Sequence, residues 1–295
     1  MSTPEQEAGP PPAVDPAAAT PPPDDANDLR GFHFKRLLSS KLTWALILGA
    51  TLAVGIAVAV FVSAAIGGGA ALATFLLALL IAFGIADSRA EDAFFQAYAQ
   101  QHGLELGGRA PLPPATPLLR KGDDRYAERT LSGPFAAGVE GILALYTYEE
   151  ESRDSDGNKQ TNYYRYTVAL VPVPESAELV PELYCQRKFG LRALEGLEDA
   201  FRTKKERVKL ESEVLDRKYE IFAGKQQDAN WLRQLFSPSF IVWLTDSAPD
   251  KFAFELVDAT LCCYVSGHKE NAAALEQISA AAATVASRLR EEALE

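Results

Sequence analysis

From Leu42 to Ala86 the chain carries no charged residue, and its polar side chains are limited to Thr43, Thr51, Ser63 and Thr74. As helix this stretch would extend about 68 Å at ~1.5 Å per residue, roughly twice the ~30 Å hydrocarbon core of a bilayer. Past its middle sit Gly67, Gly68 and Gly69. The expectation is two membrane-spanning helices, Leu42–Ile66 and Ala70–Ala86, joined by a tight glycine turn. The second is short, so it is expected to take in Asp87 and Ser88 or to begin within the glycines.

The flanks give the hairpin a direction. Arg30, Lys35, Arg36 and Lys41 precede it, Arg89 follows it, and the glycines are free of Lys and Arg. Cytoplasmic flanks of membrane spans carry the excess of Lys and Arg. Both termini are therefore expected in the cytoplasm and the turn outside, in the inner (plasma) membrane. The four basic residues before the first span are also candidates for contact with a lipid surface. Trp44 lies at the boundary, where an indole suits the headgroup region.

Small residues recur every four positions: Gly49, Ala53 and Ala57 in the first span, Thr74, Ala78 and Ala82 in the second. Such stripes let helix backbones approach closely in lipid. They serve either the packing of the two helices on each other or a seam between copies, and a hairpin pairs its own helices first. The spans hold neither charge nor proline, whereas pumps and carriers place ionisable groups or broken helices at mid-membrane depth. An anchor, integral to the bilayer, is the expected role.

Residues 1–29 contain Pro4, Pro10, Pro11, Pro12, Pro16, Pro21, Pro22 and Pro23. Such composition cannot bury enough apolar surface to offset its ordering entropy, so disorder with stretches of polyproline II is expected. The segment reads as a solvated tether, or as a docking tail for a proline-recognising domain. It is not a secretory signal, because mostly polar residues come first and the apolar stretch is too long.

The formal net charge is −11, and an acidic chain is poorly suited to a phosphate backbone, so nucleic acid is not an expected partner. Cys185 stands alone and Cys262 and Cys263 are adjacent. That spacing gives no disulfide framework and fits reduced thiols. Adjacent residues of a strand point to opposite faces, so the pair does not suit one metal ion, even with His268 nearby.

After the spans, Glu91–His102 reads as helix, stopped by Gly103. Residues 87–120 then form a helix and linker, marked by Gly107, Gly108, Pro111, Pro113, Pro114 and Pro117. His102 beside the helix-ending glycine reads as exposed. From 121 to 295 an α+β domain is expected, a mostly antiparallel sheet with packed helices. Gly138–Glu149 and Tyr163–Val173 flank Asp156-Gly157, a hairpin signal that would set Tyr146 and Tyr148 across from Tyr164 and Tyr166. Ser152, Asp154, Asp156 and Gly157 imitate the start of a calcium loop, but position 12 is Tyr163 instead of the bidentate Glu.

Leu179–Phe189 reads as strand and Leu191–Phe201 as short helix or irregular. Arg202, Lys204, Lys205, Arg207 and Lys209 form a basic run mixed with Glu206, Glu211 and Glu213, better suited to a solvated strand face than to a lipid patch. Strands follow around Val208–Leu210, Tyr219–Ile221, Phe252–Leu256 and Leu261–Val265. Asp228 caps a helix bearing Trp231, Leu232, Leu235 and Phe236, and Ser237-Pro238 opens the next. In a final helix, Asn271–Leu294, the positions Leu275, Ile278, Ala282, Val285 and Leu289 form one apolar stripe for packing on the sheet.

The run Glu211-Ser212-Glu213, Arg217-Lys218-Tyr219-Glu220-Ile221, Asp228-Ala229, Leu235-Phe236-Ser237-Pro238-Ser239-Phe240 and Leu244 resembles a bacterial family known only as a domain of unknown function. The resemblance spans roughly residues 120–266. It implies two N-terminal membrane helices with a cytoplasmic domain, and brings no activity with it.

The sequence carries no phosphate-binding glycine loop, nucleophile elbow or zinc-protease motif. No cofactor and no catalytic residue is assigned. The expected role is a membrane-anchored cytoplasmic binding or scaffold domain, with a protein partner or homo-oligomer. The alternative is an enzyme or small-molecule sensor whose site is dispersed over the α+β domain.

Overall fold

The structure is a computed structural model that describes residues 25, 29, 34–35, 39–61, 64–135, 138–153, 157–188, 205–225 and 227–294. The expectations for the proline-rich segment before Asp25, for Arg30, Arg36, Arg202 and Lys204, for the stretch Leu191–Phe201 and for Asp154 and Asp156 lie outside these residues.

Two helices, α1 (Lys41–Phe61) and α2 (Ala64–His102), are long and apolar enough to cross a membrane. Their large side chains point outward: Leu46, Leu52, Val60, Leu72 and Leu80 are all exposed, the pattern a lipid-facing helix would show. The break between helices does not fall at the glycines. Gly67, Gly68 and Gly69 belong to the first turns of α2. The physical reason is that an apolar solvent offers backbone groups no partner outside the helix, so glycine continues a helix there more readily than in water. α2 then runs on through Asp87 and Ser88 to His102 without interruption. Gly103, at φ 65°, ends it as a left-handed cap, and the Leu104 amide donates to the Ala99 carbonyl at 2.8 Å.

A nine-stranded antiparallel sheet follows. Its strands are β1 (Glu105–Gly107), β2 (Asp124–Phe135), β3 (Val139–Arg153), β4 (Lys159–Pro172), β5 (Glu182–Arg187), β6 (Lys205–Val208), β7 (Tyr219–Gly224), β8 (Ala253–Val257) and β9 (Thr260–Ser266). In space they run β1-β2-β3-β4-β9-β8-β5-β7-β6. The hairpin expected around Asp156-Gly157 is β3–β4, with Tyr146 opposite Tyr166 and Tyr148 opposite Tyr164.

Alternation sorts the side chains into two cores. One face holds Leu131, Leu143, Leu145, Val171, Leu183, Phe254 and Cys263. It packs against the C-terminal half of α2 through Phe94, Phe95 and Tyr98, and against α6 (Ala272–Leu294). The α6 stripe Leu275, Ile278, Ala282, Val285 and Leu289 is buried. The larger of these contribute roughly 1.5–3 kcal/mol each. The opposite face holds Tyr146, Tyr148, Tyr166, Val168, Cys262 and Tyr264, under Leu112, Leu118 and Leu119. Thus the segment expected as a linker is a strap that closes the second core, and the globular part begins well before residue 121.

Among the described residues, three short α-helices lie between β6 and β8: α3 (Glu213–Lys218), α4 (Ala229–Leu235) and α5 (Pro238–Val242). Asp228 caps α4 through the Asn230 amide at 2.8 Å. α3, absent from the sequence reading, is capped by Ser212 Oγ accepting from the Leu215 amide at 3.3 Å. α5 opens on Ser237-Pro238 as expected, although Ser237 makes no capping bond. It passes into one π-helical turn, Trp243–Ser247.

Candidate functional site

Where α2 leaves its apolar segment it meets the sheet. Arg129 Nε donates to Glu91 Oε1 at 2.8 Å, and its Nη2 donates to Asp92 Oδ1 at 2.6 Å. The guanidinium also lies 5.5 Å from the Phe95 ring centroid. Burial works against the Arg129 cation, and the two carboxylates more than offset it, so its pKa is raised. Arg129 can reach α2 because the register with β3 shifts between Ala127 and Arg129. The shift is a β-bulge at Glu128, a device that re-aims side chains.

Glu128 continues the network. Its carboxylate accepts from the Thr147 hydroxyl at 3.2 Å. His268 Nε2 lies 3.2 Å from both Thr147 Oγ1 and the Tyr146 carbonyl. A carbonyl only accepts, so the tautomer protonated at Nε2 fits. Burial is the first cause of a lowered His268 pKa, opposed by Glu128. Thr147 is fully buried, Glu128 and His268 are half-buried, and the contact ties β3 to the turn after β9. Its neighbour Thr167 extends the tie, donating to the Gly267 carbonyl at 2.9 Å and accepting from the Lys269 amide at 2.8 Å.

On the strap side a carboxylate is buried. Glu255, at 0 % exposure, accepts from the Leu118 amide at 3.0 Å, and Tyr264 Oη lies 3.5 Å away. Burial pushes its pKa up, against the lowering effects of that amide and of the Thr116 hydroxyl and Lys205. The Tyr146 hydroxyl donates to the Leu118 carbonyl at 3.2 Å, so both polar groups of Leu118 are held. Glu255 is a latch for the strap. At the outer strands Lys205 Nζ lies 3.6 Å above the Tyr184 ring and 3.2 Å from Glu182 Oε2. Arg207 pairs with Glu220 at 3.5 Å. Lys205 and Arg207 of the basic run therefore serve the sheet edge.

The other sequence candidates separate. Thr74, Ala78 and Ala82 lie on the sheltered side of α2, and the Thr74 hydroxyl donates to the Ala70 carbonyl at 2.8 Å. Gly49, Ala53 and Ala57 lie on the exposed side of α1. The α1 residues turned inward are instead Ile47, Thr51, Gly55 and Val58, again at helical spacing. Lys35 is exposed and Lys41 begins α1. Phe34 meets Phe83 edge-on at 5.6 Å, which brings the approach to α1 beside the end of the apolar part of α2. His102, expected as exposed, is half-buried, 4.3 Å from the Tyr98 ring.

Cys185, Cys262 and Cys263 are buried free thiols, with pKa values pushed up by burial. Cys262 and Cys263 belong to opposite cores. Among the described residues no group of three or more His, Cys, Asp or Glu is placed to hold a metal ion. Comparison of the chain with protein-family models, with curated proteins and with solved structures returned no match.

Proposed function

We propose that this chain is a membrane-anchored scaffold that holds an α+β binding domain in a fixed attitude at the cytoplasmic face of a plasma membrane. The observation that carries the reading is the unbroken run of α2 from its apolar segment into the core of the domain. A flexible tether would only localise the domain. A continuous helix, buried at Phe94, Phe95 and Tyr98 and clasped by Arg129, also orients it. The cytoplasmic side rests on Arg30, Lys35, Arg36, Lys41 and Arg89, and the resemblance of residues 120–266 supports the same architecture.

Affinity capture of the full chain from native membranes in mild detergent tests the binding role. Co-recovery of a defined protein partner in fixed proportion supports it. Recovery of the chain alone, at every detergent that keeps it folded, contradicts it.

A dispersed-site sensor or enzyme draws on one observation, the buried Glu255 with Tyr264 and Cys262 on the same face. Leu118 and Leu119 seal that face, so this reading requires the strap to lift. A small molecule that raises hydrogen exchange at the Leu118 amide would favour it over the scaffold.

A further inference from the structure

Beside the contact between α1 and α2 runs an open groove of about 510 Å³. Glycine lines it from both helices, Gly55 on α1 and Gly68 on α2. A Cβ added at Gly68 would meet nothing within 4 Å. On the α1 side Leu48, Leu52 and Ile56 flank the groove as a ridge at spacings of four, each more than half exposed. Among the described residues, Thr51 is the only polar side chain in the lining. Its hydroxyl oxygen is buried and, among the described residues, has no hydrogen-bond partner, whereas the Thr74 hydroxyl of α2 donates to the Ala70 carbonyl at 2.8 Å.

We propose that this groove seats α1 of a second copy, so that two hairpins pair about a two-fold axis along the membrane normal. The inference rests on the reading of α1 and α2 as membrane spans. All copies then enter the bilayer in one orientation. A two-fold along the normal keeps that orientation while setting the same patch against itself. Such a contact must be self-complementary, and a ridge running beside a groove meets the condition. The axis carries the Leu48-Leu52-Ile56 ridge of each copy to the groove of the other. Gly55 and Gly68 let the backbones approach closely, and close packing is what drives helices together in lipid.

Thr51 decides between occupants. A hydroxyl at hydrocarbon depth has no water to bond. A lipid acyl chain fills the groove but brings no acceptor. A second copy brings one, because a two-fold along the normal sets the two Thr51 side chains at the same depth, where one hydroxyl donates to the other. Hydroxyl bonds across helices are a recurrent glue between spans. The seam so placed is not the stripe Gly49, Ala53 and Ala57, which lies on another side of α1. Ala53 faces about 100° away from Leu52 at 3.6 residues per turn.

The test is oxidative cross-linking of the full chain in native membranes with copper phenanthroline. The native thiols are buried, so an introduced cysteine reports alone. Leu52→Cys is expected to give a product of twice the chain's mass, and Ala53→Cys, at nearly the same depth, roughly tenfold less. Adding Gly68→Ile to Leu52→Cys fills the groove at a position with open space, and is expected to cut the product roughly tenfold. Adding Thr51→Val, which keeps the shape and removes the hydroxyl, should cut it severalfold, and Thr51→Ser should retain it. Equal products at Leu52 and Ala53, an unchanged yield with Gly68→Ile or with Thr51→Val, or a Leu52→Cys product of any other mass would overturn the proposal. Alkaline carbonate extraction of the same membranes separates the two failures. A chain that resists extraction yet gives no dimer refutes the seam and leaves the anchor, and a chain released by carbonate loses both.

Discussion

Arg129 and Glu91 are 38 positions apart in sequence and 2.8 Å apart in space, and their contact joins α2 to the sheet. The side chains are about a fifth exposed, at 18 % and 23 %, so the pair is partly screened. Charged hydrogen bonds contribute about 1.5–3 kcal/mol each when sheltered, and exposed ion pairs about 0–1 kcal/mol. Arg129→Ala is therefore expected to lower domain stability by about 1–3 kcal/mol, read by thermal unfolding of the full chain in detergent. It should also raise hydrogen exchange around Glu91–Phe95. Arg129→Lys should recover only part, since an ammonium cannot match the planar fork that reaches Glu91 and Asp92 together. Unchanged exchange in the alanine variant would mean that the clasp does not hold α2.

Glu255 separates a latch from a catalytic acid. Glu255→Gln keeps an acceptor for the Leu118 amide and removes the cost of burying a charge, so stability at neutral pH should be equal or higher. Glu255→Leu leaves that amide unpaired, at a cost of about 1–3 kcal/mol, and should expose the Leu118 and Leu119 amides to exchange. The pH dependence has a definite sign. A carboxyl whose pKa is raised on folding holds its proton better in the folded state. Stability should then fall as pH rises from about 4.3, its unfolded value, through the folded pKa. The Gln variant should lack that component of the profile.

His268 gives a component of opposite sign. Its pKa is lowered on folding, chiefly by burial, so the unfolded chain takes up the proton first. Stability should decline as pH falls below about 6.5. His268→Gln keeps a donor for the Tyr146 carbonyl and should flatten the profile in that range. Identical profiles for the two chains would show that the imidazole is not held neutral in the fold.

The three thiols are expected to be silent. At full burial and with raised pKa values, Cys185, Cys262 and Cys263 should not react with an aromatic disulfide reagent at neutral pH in the folded chain. All three should react in denaturant. Fast reaction of any one under native conditions would place it in an opening segment.

Much of the architecture was legible because it rests on periodicity. The charge-free stretch announced two long helices. Alternation marked β7, β8 and β9, two apolar and aromatic runs around Asp156-Gly157 marked β3 and β4, and the 3-4 spacing of Leu275, Ile278, Ala282, Val285 and Leu289 marked the buried face of α6. Glycine at 67–69 misplaced the turn, because its helix-breaking effect belongs to water and not to lipid. The strap was misread for a related reason. Prolines mark chain that is neither helix nor strand, but they do not say whether Leu112, Leu118 and Leu119 reach a core.

The junction left no local trace at all. The Glu128 bulge, the Arg129 clasp and the Thr147–His268 contact join residues far apart, the last pair separated by 121 positions, and no spacing rule reaches that far. β1 was hidden for a simpler reason: it is three residues long and ends at Gly107, where an added Cβ would lie 2.2 Å from Thr130 Oγ1.

On the proposed reading, the chain is a two-span anchor whose second helix carries the domain into the cytoplasm. Single cysteines at Ala64, the first residue of α2, and at Gln96, in its C-terminal half, test it in intact cells with a membrane-impermeant maleimide. Ala64→Cys is expected to be labelled from outside, and Gln96→Cys only after the membrane is permeabilised. Labelling of Gln96→Cys in intact cells, or release of the chain from membranes by alkaline carbonate, would contradict it.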